Sequence, residues 1–385
     1  MSKNNDYWNK ARPGKVAIAL LNFGGPRHAG EVEGFLHEIL RDPNTIQLPF
    51  PGWMQNILAK KIARRRAPET TAQYQVLGGG SPIVRATETI AQSISEALLK
   101  QTRQAQKGRK DHPDALPPVI IVHRYLKGWC DKAAQELVAT GAEAIFAVPL
   151  YPHFSFATTG SSLEQLEASL RAAGFVGDLR ALRSYPDKAG YLEAVTDRLQ
   201  EGLKDSAAKP EKTVILCSAH GLPVAYVEKG DPYQQELYRT LSGLAPRFPE
   251  WKFLMSYQSR VGPAEWLKPY TDEILEELAA EGVKQVVFLP LSFVNDHIET
   301  LYEIGHTYFG LARHLGMTPY LIPAIESHPA FVSMLAEEIR HWQAGASGVP
   351  VKDLLPPNQS FARSGRWVWL FWLMSLFAVG WLALV

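Results

Sequence analysis

The chain has 385 residues, 46% of them hydrophobic, enough to bury a large core and to form two domains. Lys and Arg number 40 against 39 Asp and Glu, so nothing in the charge draws the chain toward nucleic acid, and no such partner is expected. The two cysteines, Cys130 and Cys217, form no C-x-x-C pair, which removes a zinc ribbon, a thiol redox motif and a disulfide framework.

Residues 1–15 are polar and charged, with no apolar run to read as a signal peptide. VAIALLN at 16–22 predicts a buried strand ending in Phe23-Gly24-Gly25-Pro26, a loop whose glycines let the backbone approach a neighbour closely. The spacing is not that of a dinucleotide or P-loop site, so the glycines lend nothing to nucleotide binding. A helix is expected at 29–42 and an apolar loop at 48–53. Lys60, Lys61, Arg64, Arg65 and Arg66 then crowd one short helical segment. Such a run forms a solvated face or holds the carboxylates of an anionic ligand. After Tyr74, the loop Gly78-Gly79-Gly80-Ser81-Pro82 precedes a helix at about 83–100, with Ser81 placed as a cap. Residues 101–118 read as an exposed connection.

From there the chain nearly repeats itself. A strand at 118–122, a helix to Gly141 and the run AIFAVPLYPHFS are matched by a strand at 251–255, a helix to Gly282 and QVVFLPLSFVND. The strands 16–22 and 213–217 form a further pair. The expected fold is therefore α/β, two similar doubly wound, parallel-sheet domains at 15–185 and 186–343, closed by a helix at about 328–343.

TVILCSAHGLP at 213–223 predicts a buried strand delivering His220 to a turn at its C-terminal end, where ligands of open α/β sheets collect. Taken alone, His220 reads first as a histidine that merely bonds within a turn, and only second as a working group. After the strand at 285–291 come Asp296, His297, Glu299 and Glu303. On an α-helix the three carboxylates share one face, either as a capping box with a solvated acidic side or as a line passing protons and hard cations beside an imidazole. No G-x-S-x-G elbow and no H-E-x-x-H occurs, so neither a hydrolase triad nor a zinc protease is supported.

Residues 344–366 read as a linker, and WVWLFWLMSLFAVGWLALV at 367–385 carries no charge. At ~1.5 Å per residue these 19 residues reach ~28 Å as a helix, close to a hydrocarbon core. Arg363 and Arg366 precede the stretch, so the expectation is one C-terminal transmembrane helix holding the catalytic part on the cytoplasmic side of the inner membrane.

Several longer motifs carry a family resemblance. LNFGGP (21–26), QYQVLGGGSPI (73–83), PLYPHFSFATTGSS (149–162), SAHGLP (218–223), GDPY (230–233), SRVGPAEWLKPYTDE (259–273) and NDHIETLYEI (295–304) resemble the ferrochelatases, in the same order over about residues 15–343. The resemblance implies a lyase with two Rossmann-like domains enclosing a porphyrin cleft. It would insert Fe(II) into protoporphyrin IX to give protohaem, the last step of haem synthesis. His220 matches the family's essential histidine, as pyrrole base, metal ligand or both. Glu299 matches the carboxylate opposite it and a second metal ligand, with Asp296, His297 and Glu303 on the acidic path beside it. Phe23, Tyr125, Trp266 and Phe293 are expected against the macrocycle; Arg66, Tyr74 and Ser81 match positions that hold the propionates or the pocket lip, and Arg124 is a further candidate. Some members bind a 2Fe–2S cluster through C-terminal cysteines; no cysteine follows Cys217 here, so none is expected. His153 stands where a Gln is common and reads as a hydrogen-bonding substitute. A chelatase for coproporphyrin or another tetrapyrrole, and a non-catalytic membrane-bound porphyrin or haem carrier, are the alternatives. Carriage would not need His220 and Glu299 together, and the apolar lip at 48–53 argues for protoporphyrin.

Overall fold

The structure of the protein is a computed structural model, and it describes residues 15–43, 45, 51–105, 116–262, 264–345 and 347–355. Two parallel sheets organise it. The first is built from β1 (Val16–Asn22), β2 (Val119–His123), β3 (Ala144–Pro149) and β4 (Asp178–Ala181), in the order β2-β1-β3-β4. The second uses β5 (Thr213–His220), β6 (Lys252–Gln258), β7 (Gln285–Pro290) and β8 (Thr318–Leu321), in the order β6-β5-β7-β8. The two orders are the same, which is the internal repeat seen as topology. In each sheet the connections leave the first strand in opposite directions, so a switch-point crevice opens at the C-terminal ends of β1 and β3, and of β5 and β7.

Both central strands are buried on both faces, as apolar runs without alternation require. Ile18 and Leu20 of β1, with Ile215, Cys217 and Ala219 of β5, enter one continuous core between the sheets. Helices α3 (Ile83–Ala105), α6 (Ala189–Asp205), α8 (Tyr233–Leu244) and α11 (Pro329–Gln343) fill that layer. The opposite face of the first sheet packs on α4 (Trp129–Ala139) and α5 (Ser161–Ala172). That of the second packs on α9 (Thr271–Ala280) and α10 (Phe309–His314). The short α7 (Val224–Glu228) follows β5, and α1 (Val32–Arg41) packs on α2 (Gly52–Val76) through Leu40, Ala59 and Ala63.

Three stretches differ from the sequence-based expectation. The basic run at 60–66 is not a short segment: it lies inside the 25-residue α2, which begins at Gly52 and so takes in Trp53 from the expected apolar loop. Gln55, Ala59, Ala63, Thr70 and Tyr74 form one buried stripe along α2, and that stripe carries the helix past Pro68 despite the lost backbone donor. The expected linker begins with a bound segment. β9 (Val349–Pro350) pairs antiparallel with β4, and Val351 and Leu354 are buried in the outer core of the first sheet. Finally, the acidic stretch after β7 is not an α-helix: Glu299–Tyr308 is a π-helix that runs into α10. Among the described residues no helix is long and apolar enough to cross a membrane. The 367–385 stretch lies outside the described residues.

Candidate active site

β5 delivers His220 to the switch point of the second sheet, as the break from apolar to small residues predicts. The main chain of His220 is held on both sides, its N–H donating to Ser292 Oγ at 3.1 Å and its carbonyl accepting from Tyr233 OH at 3.0 Å. Nδ1 meets Glu299 Oε2 at 2.8 Å, while the ring keeps 42% of its side-chain surface exposed. One face of the pair is therefore open to a ligand.

Glu299 reaches His220 because the π-helix starts at this residue, with Ile298 in the cap position. The capping box therefore does not form. Asp296 instead accepts from Thr300 Oγ1 at 2.9 Å and from the Ala324 N–H at 3.3 Å, so it anchors the start of the π-helix to the segment after β8. The widened turn keeps Glu303, four residues on, on the same side as Glu299. Gln258 Nε2, at the end of β6, touches both, donating to the Glu299 carbonyl at 3.3 Å and to Glu303 Oε2 at 3.4 Å. Ser259 donates to Glu303 from its N–H at 2.8 Å and from its hydroxyl. Its φ of 64° is left-handed backbone, a strained position held by these two bonds. His297 lies 3.9 Å from Glu299 Oε1, donates from Nδ1 to the Asn295 carbonyl at 3.1 Å, and has the Phe293 ring 4.6 Å away.

The electrostatics of the group separate its members. Burial alone would raise the Glu299 carboxyl, but the charge and hydrogen bond of His220, with His297 adding, hold it down at about 2. Burial would lower His220, and the Glu299 charge and hydrogen bond, with Glu303 behind them, outweigh it and raise the imidazole. Glu303 is raised by burial and by the Glu299 charge. The site thus holds a fixed anion, a strengthened base and a carboxyl of weakened acidity side by side. Among the described residues no three His, Cys, Asp or Glu side chains converge as a ready-made metal cage. The donor set offers one imidazole and one or two carboxylates, which suits a hard or borderline divalent ion held briefly.

The remaining candidates divide into two groups. Trp266 lies in the site: its ring covers Gly221, where an added Cβ would come 3.1 Å from Trp266 Cε3 and 2.8 Å from the Gln258 carbonyl, and its Nε1 donates to Val261 O. Tyr74 is buried on α2, and its phenol is pushed up by burial and then by the charge of Glu299, so α2 brings it to the same place. Phe23 packs on Tyr125 with ring centroids 4.5 Å apart. Asn22, just before Phe23, donates to Asn295 Oδ1 at 2.9 Å and so joins the strand end of the first sheet to the loop after β7. Ser81 sits against the first glycine loop, its N–H on the Pro26 carbonyl at 2.7 Å, with only a 3.4 Å contact from the Ile83 N–H to its hydroxyl.

Arg124, Arg66 and His153 stand outside this group. The Arg124 guanidinium is committed to Asp42 at 2.7 Å and lies over the Tyr125 ring. Asp42 also accepts from Tyr125 OH and Ser161 Oγ, both at 2.7 Å. Arg66 is exposed on α2 and makes no ion pair among the described residues. His153 is fully enclosed, Nε2 on Thr240 Oγ1 at 2.8 Å, and burial pushes its imidazole down to about 3. The supporting residues Ser292, Gln258, Asn22, Asn295 and Tyr233 have no periodic pattern to reveal them, although Asn22, Tyr233 and Asn295 fall within the family motifs and Gln258 beside one.

A family model described as ferrochelatase matches residues 15–342. Curated relatives include a ferrochelatase of Synechococcus elongatus, 37% identical over 364 residues, covering 92% of this chain and 90% of that one. Another, a ferrochelatase of Desulfotalea psychrophila, is 37% identical over 322 residues, covering 84% and 95%. Among solved structures, SirB from Bacillus subtilis with Fe3+ superposes with a TM-score of 0.47 at 14% identity, covering 86% of this chain and 97% of that one.

Proposed function

The chain belongs to the ferrochelatase family, a lyase of haem synthesis that inserts Fe(II) into a porphyrin, and from that premise we propose protoporphyrin IX as the porphyrin and the His220–Glu299 pair as the centre of the chemistry. The observation that carries this reading is the 2.8 Å contact between the imidazole and a carboxylate held at about 2, at a sheet's switch point with one face open.

Metallation breaks two pyrrole N–H bonds, forms bonds from the porphyrin nitrogens to iron, and releases two protons; no electron is transferred. His220 in its neutral form accepts a pyrrole proton, and its raised basicity makes it a better acceptor than a free imidazole. Glu299 stays ionised throughout, so it stabilises the imidazolium and offers a negative oxygen to the incoming dication. Glu303, made the better proton acceptor by burial and its charged neighbour, takes that proton onward, which returns His220 to its neutral form to accept the second pyrrole proton. His297 orients Glu299 from the other side, and Asp296 fixes the start of the helix that carries both glutamates. Trp266, Phe23 and Phe293 supply the aromatic surface against which the macrocycle packs, with the buried Tyr125 backing Phe23, while Ser81 and Arg66 stand at its propionate edge and lip, with the buried Tyr74 behind them. Arg124 acts indirectly, through Asp42 and Tyr125.

The test is anaerobic Fe(II) insertion into protoporphyrin IX and coproporphyrin III by wild type and His220→Ala. Protohaem formation that the substitution abolishes is expected. Faster turnover of coproporphyrin III would reassign the substrate. The membrane reading of 367–385 as a single-pass anchor with its N-terminal side cytoplasmic is supported by its uncharged length and the flanking Arg363 and Arg366. Deleting 364–385 should release active protein from membranes, and persistent membrane binding would refute it.

A further inference from the structure

The Gly230–Tyr233 turn is one of the motifs that carry the family resemblance, yet none of its residues takes part in the chemistry above. We propose that Tyr233 is the positioning residue for His220 and that Asp231 sets Tyr233 by tying it to the other half of the molecule; this rests on the reading of His220 as the reacting base.

Tyr233 opens α8 and is buried, and its hydroxyl donates to the His220 carbonyl at 3.0 Å. Ser292 accepts from the His220 N–H, and its hydroxyl lies within reach of the Tyr233 oxygen. Two hydroxyls thus grip the peptide groups on either side of one Cα. That fixes the direction in which Cβ leaves the strand, and hence where the imidazole meets Glu299.

Tyr233 is itself placed by a seam. Asp231, 3% exposed, accepts from the Tyr233 N–H at 3.0 Å through Oδ1. Its Oδ2 accepts from Ser155 Oγ and from the Phe156 N–H, both at 2.8 Å, at the π-helical turn Phe156–Gly160 that follows β3. Two more buried contacts continue the seam along α8. Glu236 accepts from the Phe154 N–H at 2.7 Å, and Thr240 meets His153 at 2.8 Å. Apart from the bond between Asp231 and Tyr233, these bonds cross from the loop after β3, in the first half, to Asp231 and the helix beneath His220, in the second. A shift of that loop therefore becomes a shift of the imidazole. The groups facing the imidazole across the site, Glu299 and Glu303 on the π-helix, belong to neither side of this seam.

Tyr233→Phe keeps the ring and its packing and removes one bond. In the full chain in detergent micelles, kcat for Fe(II) insertion should fall by about tenfold, with KM for porphyrin and for iron within twofold of wild type. At one fixed pH, the imidazole NMR signals of His220, assigned with His220→Ala, should move toward those seen in Glu299→Gln. Asp231→Asn should give the same split through the longer route. Ser292→Ala, which loosens the other side of His220, provides a second reading should Tyr233→Phe not fold. Wild-type kcat in folded Tyr233→Phe and Ser292→Ala would overturn the proposal. So would a loss confined to KM, or a lowered melting temperature with unmoved His220 signals. Full activity in His220→Ala would sink the underlying mechanism instead, so the two failures are told apart.

Discussion

Replacing His220 by alanine removes the group that holds Glu299 ionised, and the consequence can be sized. The Glu299 carboxyl lies at about 2 against an ordinary 4.5, and at ~1.36 kcal/mol per tenfold that gap comes to about 3 kcal/mol, the net of pairing against the opposing effect of burial. With 42% of the His220 side chain exposed, water screens the contact and about 1–2 kcal/mol is the better figure. The sign follows from the depressed carboxyl: the pair stabilises the fold above pH 4.5, and that contribution is lost as the pH falls toward 2. Once the imidazole is gone, burial acts unopposed and Glu299 should titrate above 4.5, which carbon-13 NMR of labelled glutamate reads directly. Losing a general base typically costs about 10²–10⁴ in rate, or roughly 3–5 kcal/mol of transition-state stabilisation. Stopped-flow Fe(II) insertion under anaerobic conditions measures it. Turnover within fivefold of wild type, or a Glu299 carboxyl that stays near 2, would refute the reasoning.

Gly221→Ala places a Cβ 3.1 Å from the Trp266 ring and 2.8 Å from a carbonyl that cannot move freely, so Trp266 should be displaced and KM for porphyrin should rise several-fold more than kcat falls. Asp42→Ala leaves the enclosed Arg124 guanidinium without its carboxylate and should destabilise the fold by about 3–5 kcal/mol in urea titrations, with KM for iron unchanged. Burial, with Arg27 adding, holds His123 at about 4, and burial holds His153 at about 3, against 6.5 in the unfolded chain. Between 6.5 and those values the unfolded chain binds more protons, so stability should fall as the pH drops. Each histidine should cost about 2 kcal/mol at pH 5. A urea midpoint that is flat from pH 7 to 5, after allowing for other groups by His153→Gln, would contradict this.

The sequence by itself determined three strands of each sheet, β1–β3 and β5–β7, while β4 (DLRA) and β8 (TPYL) carry no apolar run to reveal them. Apolar runs that end in glycine, proline or small polar residues are strands whatever surrounds them, and their recurrence at matched spacing appears as the shared strand orders β2-β1-β3-β4 and β6-β5-β7-β8. It also placed His220 at a strand end, and its longer motifs identified the family. The resemblance also named Glu299 as the partner of that histidine, but periodicity and spacing alone could not. Glu299 lies 79 positions away, and the two meet only because β5 and β7 are neighbours and the chain after β7 winds as a π-helix. Over eight residues a 3.6-residue period and a wider turn give almost the same pattern, so the acidic stretch read as an α-helix, and the capping box, one of its two readings, does not form. The commitment of Arg124 to Asp42, the return of β9 to the first sheet and the seam from Asp231 to the loop after β3 were hidden for the same reason. A hydrogen bond or an ion pair is fixed by distance in space, and only tertiary packing sets that distance.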